Sequence, residues 1–154
     1  MITHIEGKLV EKNLTDVVID CNGVGYLLNI SLHTYSQIPD KEKLKLYTHF
    51  IVREDSHTLY GFSSVAEREI FKLLISVNGV GASTARTMLS SLTPIQVREG
   101  IAVGDVALIQ SIKGIGAKTA QRITPHTLIH SLTGQRYNLE TVTVKHSNHS
   151  QITC

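Results

Sequence analysis

Ten residues of this chain occur twice. Ser76-Val77-Asn78-Gly79-Val80-Gly81-Ala82-Ser83-Thr84-Ala85 returns as Ser111-Ile112-Lys113-Gly114-Ile115-Gly116-Ala117-Lys118-Thr119-Ala120, with six positions identical and two exchanging Val for Ile. Each copy lies between apolar stretches of helical period. A glycine–apolar–glycine core at such a place turns the chain sharply, because glycine reaches backbone angles and close approaches that a side chain forbids. Val80 and Ile115, the apolar residues between the glycines, are expected to point inward and hold the flanking helices together. Ala85 and Ala120, one turn into the next helix, are small enough for close packing.

The turn also leaves unpaired backbone N–H groups at the start of the following helix, and such a place attracts an anion, most often a phosphate. Two copies in one small domain read as a pair of helix-hairpin-helix units that grip a nucleic-acid backbone. Asn78, Gly79, Val80 and Gly81 in the first copy and Lys113, Gly114, Ile115 and Gly116 in the second are the candidate phosphate-binding turns. Ser83 and Thr84, with Lys118 and Thr119, add side-chain donors. Arg86, Lys113 and Arg122 are candidates for longer-range attraction. None of these groups suits the reading of base edges, so binding should follow backbone shape rather than base sequence.

Charge is distributed accordingly. Residues 1–63 carry six Lys/Arg against eight Asp/Glu, residues 64–123 carry seven against four, and the rest adds one positive charge to reach the total of +2. The positive excess lies with the repeated turns, as a phosphate-binding face requires. It is small, so backbone amides must carry much of the anion binding. Two cysteines, Cys21 and Cys154, make neither a disulfide framework nor a zinc cluster. No apolar run reaches membrane-spanning length and the N-terminus lacks a signal-peptide pattern, so a cytoplasmic protein is expected, with no membrane partner.

Hydrophobic period divides the chain. Ile5–Val10, Val17–Asp20, Tyr26–Ile30, Leu44–Val52 and Thr58–Phe62 alternate with period two or are rich in β-branched and aromatic residues. Turns are expected at Lys12-Asn13, Asn22-Gly23-Val24-Gly25, Pro39-Asp40 and Glu54-Asp55-Ser56, with a longer connection from Leu32 to Lys43. Five short strands so connected suit a β-barrel of OB type. At Ser64 the period becomes helical: Ser64-Val65-Ala66-Glu67 reads as a capping box, followed by an apolar face of Ile70, Leu73, Leu74 and Val77. Further helices are expected over Ala82–Leu92, from Pro94 behind Thr93, from Gly104-Asp105 and from Ala117. The fold expected is therefore multidomain α+β: an OB-like barrel over residues 1–63, an all-α domain with two helix-hairpin-helix motifs over 64–123, and an atypical, poorly ordered tail over 124–154.

Glu54 and Asp55 stand at a turn between two strands. Adjacent carboxylates there fit a solvated turn, ligands for a divalent metal in a nuclease, or a tip whose charge repels phosphates and wedges where strands separate. A metal nuclease needs further converging carboxylates or histidines, and the sequence offers no clear third partner. His126/His130 and His146/His149 have spacings a metal could use but no Cys or acidic partners. No strand precedes either G-x-G and the third glycine is missing, so a dinucleotide fold fits poorly. The chain also has no G-x-x-x-x-G-K-[ST] loop for ATP, and no cofactor or metal is expected.

Gly23-Val24-Gly25-Tyr26, Thr48-His49-Phe50-Ile51-Val52-Arg53-Glu54-Asp55, Leu59-Tyr60-Gly61-Phe62, Asn78-Gly79-Val80-Gly81 and Gly114-Ile115-Gly116-Ala117-Lys118-Thr119-Ala120 occur in this order. In these motifs, from Met1 to about Ile123, the chain resembles the RuvA family of bacterial Holliday junction branch-migration proteins. The resemblance implies a non-catalytic subunit whose barrel assembles a homotetramer, sometimes doubled to an octamer, and whose hairpins grip the duplex arms of an open, square four-way junction. It implies that Glu54 and Asp55 form the acidic pin at the junction centre, and that ATP hydrolysis belongs to a partner motor of RuvB type. The junction resolvase RuvC is a further partner so implied. A general duplex or single-strand DNA-binding module is the alternative that the residues themselves leave open.

After Ile123 the family pattern breaks. Thr124-Pro125 interrupts the helix that the family continues, and no amphipathic three-helix unit follows, although Leu139–Val144 could pass for an isolated strand. The expectation is a truncated or frame-shifted member that keeps junction binding and has weakened or lost coupling to the motor.

Overall fold

The structure, a computed structural model, describes residues 1–40 and 42–123. The expected disorder of residues 124–154, the strand at Leu139–Val144 and the two histidine pairs lie outside the described residues.

Five strands, β1 (His4–Lys12), β2 (Asp16–Cys21), β3 (Val24–Asn29), β4 (Lys43–Val52) and β5 (His57–Phe62), close into a barrel in the order β1-β2-β3-β5-β4. This is the OB-type barrel expected from the period-two segments. All neighbours are antiparallel except β3 and β5, which pair in parallel at Leu28–Leu59 and Asn29–Tyr60. β1 closes the barrel by serving two neighbours: His4 to Lys8 pair with β4, and Lys8 to Lys12 pair with β2 across a bulge between Leu9 and Glu11. Gly7 lies at that changeover, where a Cβ would fall 2.2 Å from the Asp20 carbonyl oxygen. Only a residue without a side chain permits so close a crossing. Alternate side chains turn inward, and Ile5, Val17, Ile19, Leu28, Leu44 and Leu46 form the barrel core.

The β2–β3 turn is shorter than expected. Asn22 and Gly23, with φ of 53° and 93°, make a two-residue connection, and Val24-Gly25 already belong to β3. The expected connection over Leu32–Lys43 contains a helix, α1 (Leu32–Gln37), capped by the Ser31 side chain on the Thr34 amide. Six residues are too few to display a helical period.

α2 (Val65–Ile75), α3 (Ala82–Ser91), α4 (Pro94–Val103), α5 (Val106–Gln110) and α6 (Ala117–Arg122) follow. Thr93 and Gln96 cap α4 reciprocally with Pro94 at the first position, and Gly104 ends it at φ 69°. The box at Ser64 is only half made. Ser64 Oγ accepts from the Glu67 amide at 3.2 Å, but the Glu67 side chain turns away toward α1. The helical core is continuous with the barrel wall. Phe71 is fully buried, its ring 5.0 Å from those of Tyr60 and Phe62 and 5.8 Å from that of His49. Leu74, Val77, Ala85, Met88, Leu89, Val97, Ile109 and Ile123 carry that core through to the second hairpin. No helix among the described residues is long and apolar enough to cross a membrane.

Candidate nucleic-acid interface

The two repeats build the same object. Gly79 and Gly114 adopt φ of 91° and 89°. Gly81 and Gly116 cap the next helices at nearly equal angles, φ −86° and ψ 171° against φ −80° and ψ 165°. The Val80 amide donates to the Val77 carbonyl at 3.0 Å, and the Ile115 amide donates to that of Ile112 at 3.1 Å. The repeated serines also have matching roles: Ser76 Oγ donates to the Leu73 carbonyl at 2.5 Å and Ser111 Oγ to that of Leu108 at 2.6 Å, closing the ends of α2 and α5. The conserved letters of the repeat therefore encode one backbone path, made twice.

Val80 and Ile115 are 5% and 6% exposed and their amides are spent on these turns, so they shape the site from within. Asn78, Gly79, Gly81 and Ser83 are exposed in the first hairpin, as are Lys113, Gly114, Gly116 and Lys118 in the second; Thr84 and Thr119 are half-buried. Neither Gly81 nor Gly116 has a side chain to cap its helix. The first amides of α3 and α6 thus lack the side-chain acceptor that other helices here possess, and helix geometry gives them no internal one. An oxyanion satisfies such amides.

The hairpins are adjacent in space. A Cβ at Gly79 would lie 2.9 Å from Nη1 of Arg122, so the α6 guanidinium rests against the first turn. Arg86 is used differently from the sequence expectation. Its Nη1 reaches the Asn29 side-chain oxygen at 3.3 Å and the Thr15 carbonyl at 3.4 Å, so it ties α3 to the barrel. Periodicity could not reveal either arrangement, because the partners are distant in sequence.

The acidic residues Glu54 and Asp55 are exposed at the β4–β5 turn, which closes with the Arg53 amide donating to the Ser56 carbonyl at 2.8 Å. Among the described residues, no group of three His, Cys, Asp or Glu side chains is placed to hold a metal ion. A groove leads from Val52 and Arg53, at the base of the acidic turn, to Val80, Gly81 and Ala82 of the first hairpin. His49 lines it. Burial, and then the positive charges of Lys72 and Arg68, hold the imidazole below its usual pKa despite the opposing pull of Glu69.

A closed OB-type barrel carrying an exposed acidic turn, joined to a tandem of helix-hairpin-helix units, defines the class to which this structure belongs. Comparison with known proteins places it more narrowly. Residues 1–61 match the family model described as RuvA N terminal domain, and residues 71–124 match that of the SAM-like helix-hairpin-helix tandem. A protein of Christiangramia forsetii is 68% identical over 123 residues, covering 80% of this chain and 64% of the relative. One of Flavobacterium psychrophilum is 59% identical over 148 residues, covering 96% of this chain and 76% of the relative. One of Bacteroides thetaiotaomicron is 51% identical over 123 residues, 80% of this chain and 61% of the relative. All three bear the name Holliday junction branch migration complex subunit RuvA. The chain belongs to the RuvA family. It spans less than two thirds of the length of the Christiangramia and Bacteroides relatives. The Flavobacterium alignment necessarily runs past Ile123, so the likeness is not confined to the barrel and hairpins.

Proposed function

We propose that this protein binds four-way DNA junctions through their backbones, as the non-catalytic subunit that presents an open junction to an ATP-driven branch-migration motor. The observation that carries the reading is the pair of matching hairpins with uncapped helix N-termini, in one chain with an exposed acidic turn. Each hairpin offers amides to a phosphate, and Lys113, Lys118 and Arg122 add positive charge. Two such grips on one domain hold a duplex arm at two points. Glu54 and Asp55 act oppositely: their exposed charge repels phosphates and separates strands where arms meet. The relatives' name, a subunit of a branch migration complex, supports the same reading.

In this proposal four copies surround the junction, one per arm, and two such tetramers form the octamer. ATP hydrolysis belongs to the RuvB-type motor, and RuvC resolves the junction that the tetramer holds. The test is a gel-shift titration of the full chain against a four-way junction and a linear duplex of the same arm sequence, in magnesium. Strong junction preference without cleavage supports the proposal. Equal binding to both would leave a general DNA-binding module, and magnesium-dependent cutting lost in Asp55→Ala would replace it with a nuclease.

A further inference from the structure

Glu67 is fully buried and takes part in neither hairpin nor acidic turn. Its carboxylate lies between the first turns of α1, on the barrel, and α2, the first helix of the hairpin domain. Ser31 Oγ donates to Oε1, Thr34 Oγ1 donates to Oε2 at 2.6 Å, and Ser63 Oγ lies 3.4 Å from Oε2. The backbone bonds of the two hydroxyls agree with this direction. Ser31 Oγ already accepts from the Thr34 amide at 3.0 Å, and Thr34 Oγ1 from the Ser63 amide at 3.1 Å, so each hydroxyl proton is turned toward Glu67. A carboxylate has the acceptor capacity to take both bonds. No ion pair among the described residues involves Glu67. Its oxygens are met instead by hydroxyls at the N-terminal turns of α1 and α2.

Further contacts join the barrel to the helices: the Leu32 amide donates to Ser90 Oγ at 3.0 Å, Arg86 reaches Asn29 and Thr15, and Arg68 Nη1 donates to the Thr3 carbonyl at 2.9 Å. Of these, only the Ser31 and Thr34 bonds to Glu67 are buried, where a hydrogen bond is stronger and costlier to lose than in water. We infer that Glu67 is a positioning residue: it fixes the angle between the paired hairpins and the acidic turn, and through that angle sets the preference for four-way over linear DNA. A linear duplex needs only the hairpins, whereas a junction must meet hairpins and acidic turn together. The second half of this inference rests on the proposed junction binding; the first half does not.

Two readouts on the full chain keep those halves apart. Spin labels at Lys45→Cys on the barrel and Glu99→Cys on α4, in a Cys21→Ser, Cys154→Ser background diluted into excess unlabelled chain, report the angle as a distance distribution. Glu67→Gln fills the same volume but turns an amide toward one hydroxyl, so the distribution should shift or broaden, and Thr34→Val should do the same. In gel shifts Glu67→Gln should keep linear-duplex affinity within about twofold and lose about tenfold in junction preference, with Glu67→Ala losing more. An unchanged distance distribution in both folded variants would overturn the inference. So would an equal loss of affinity for both DNA forms, which marks a merely structural role. A parent chain without junction preference would refute the proposed function, and the distance distributions would still decide whether Glu67 sets the angle.

Discussion

The guanidinium of Arg122 lies against Gly79, so the last helix of the second hairpin touches the turn of the first. An added Cβ at Gly79 would meet Nη1 at 2.9 Å, whereas one at Gly114 would meet nothing within 4 Å. Both glycines have φ near 90°, where an L side chain is strained. Gly79→Ala and Gly114→Ala should therefore each cost about 1–2 kcal/mol of stability. The clash at Gly79 adds little to this, because the end of an arginine side chain moves easily. Its effect should be on binding: Gly79→Ala displaces Arg122 and should lose more DNA affinity than its stability loss explains. Thermal unfolding beside duplex titration of both variants checks this. In an Arg122→Ala background the excess should vanish.

Much of this arrangement was legible in the sequence. The strands were, because Val17, Ile19, Leu44 and Leu46 alternate inward with period two over segments long enough to count. The hairpins were legible because the chain writes the motif twice, and coincidence in Ser, Gly, Ala and Thr identifies a backbone path that one copy leaves ambiguous. α1 was not, since six residues show no period. Glu67 was misread for an instructive reason: Ser-x-x-Glu satisfies the local rule for a reciprocal cap, but the carboxylate finds better donors in Ser31 and Thr34 across the seam. Arg86 reads in sequence as a candidate for longer-range attraction, and in space it also serves as a strut to Asn29. Local grammar predicts elements; the contacts that set one element against another are made between residues too far apart for it.

His49 should make stability depend on pH in a defined window. Burial against α2, with Lys72 and Arg68 nearby, lowers its pKa in the folded chain from an ordinary value of 6.5. Above that value both states are neutral there and the group contributes no slope. As pH falls through it, the unfolded chain takes up a proton that the folded chain refuses, so stability declines until the folded imidazole also protonates. His49→Phe keeps an aromatic ring beside Phe71 and removes the proton site. Melting curves of the two proteins should diverge in slope between about pH 6.5 and the lower folded pKa and run parallel above it. Equal slopes throughout would contradict the burial argument.

The acidic turn should oppose binding rather than support it. Glu54 and Asp55 are exposed adjacent carboxylates, and like charges repel a phosphate backbone. Glu54→Ala with Asp55→Ala should keep or tighten affinity for a four-way junction, and the gain should shrink as salt rises. Strand separation at the junction centre, read by a fluorescent base analogue at the crossover, should weaken in the same variant. A large loss of junction affinity in a folded double variant would show that these carboxylates bind something instead of repelling phosphates.

The two hairpins share a backbone but differ in charge, and this asymmetry can be titrated. The exposed positions that hold Asn78 and Ser83 in the first hairpin hold Lys113 and Lys118 in the second. If amides provide the grip in both and lysines add counterion release only in the second, the salt dependence of binding should come mainly from the second. Lys118→Ser should reduce the slope of log affinity against log salt by about 0.9 for duplex DNA, the value of one phosphate contact, with little regard to base sequence. The reciprocal change, Ser83→Lys, should raise the slope by a similar amount and strengthen binding at low salt, because it sets a cation on an α3 turn that already has the right path. Gly114→Val should weaken binding with less change in slope, since it disrupts the turn that aims the amides and leaves the lysines in place. Titrations of the three variants at several salt concentrations separate shape from charge. Should Lys118→Ser leave the slope unchanged, Lys118 would not be a phosphate contact, and the charge of the second hairpin would have to act through Lys113 and Arg122 instead.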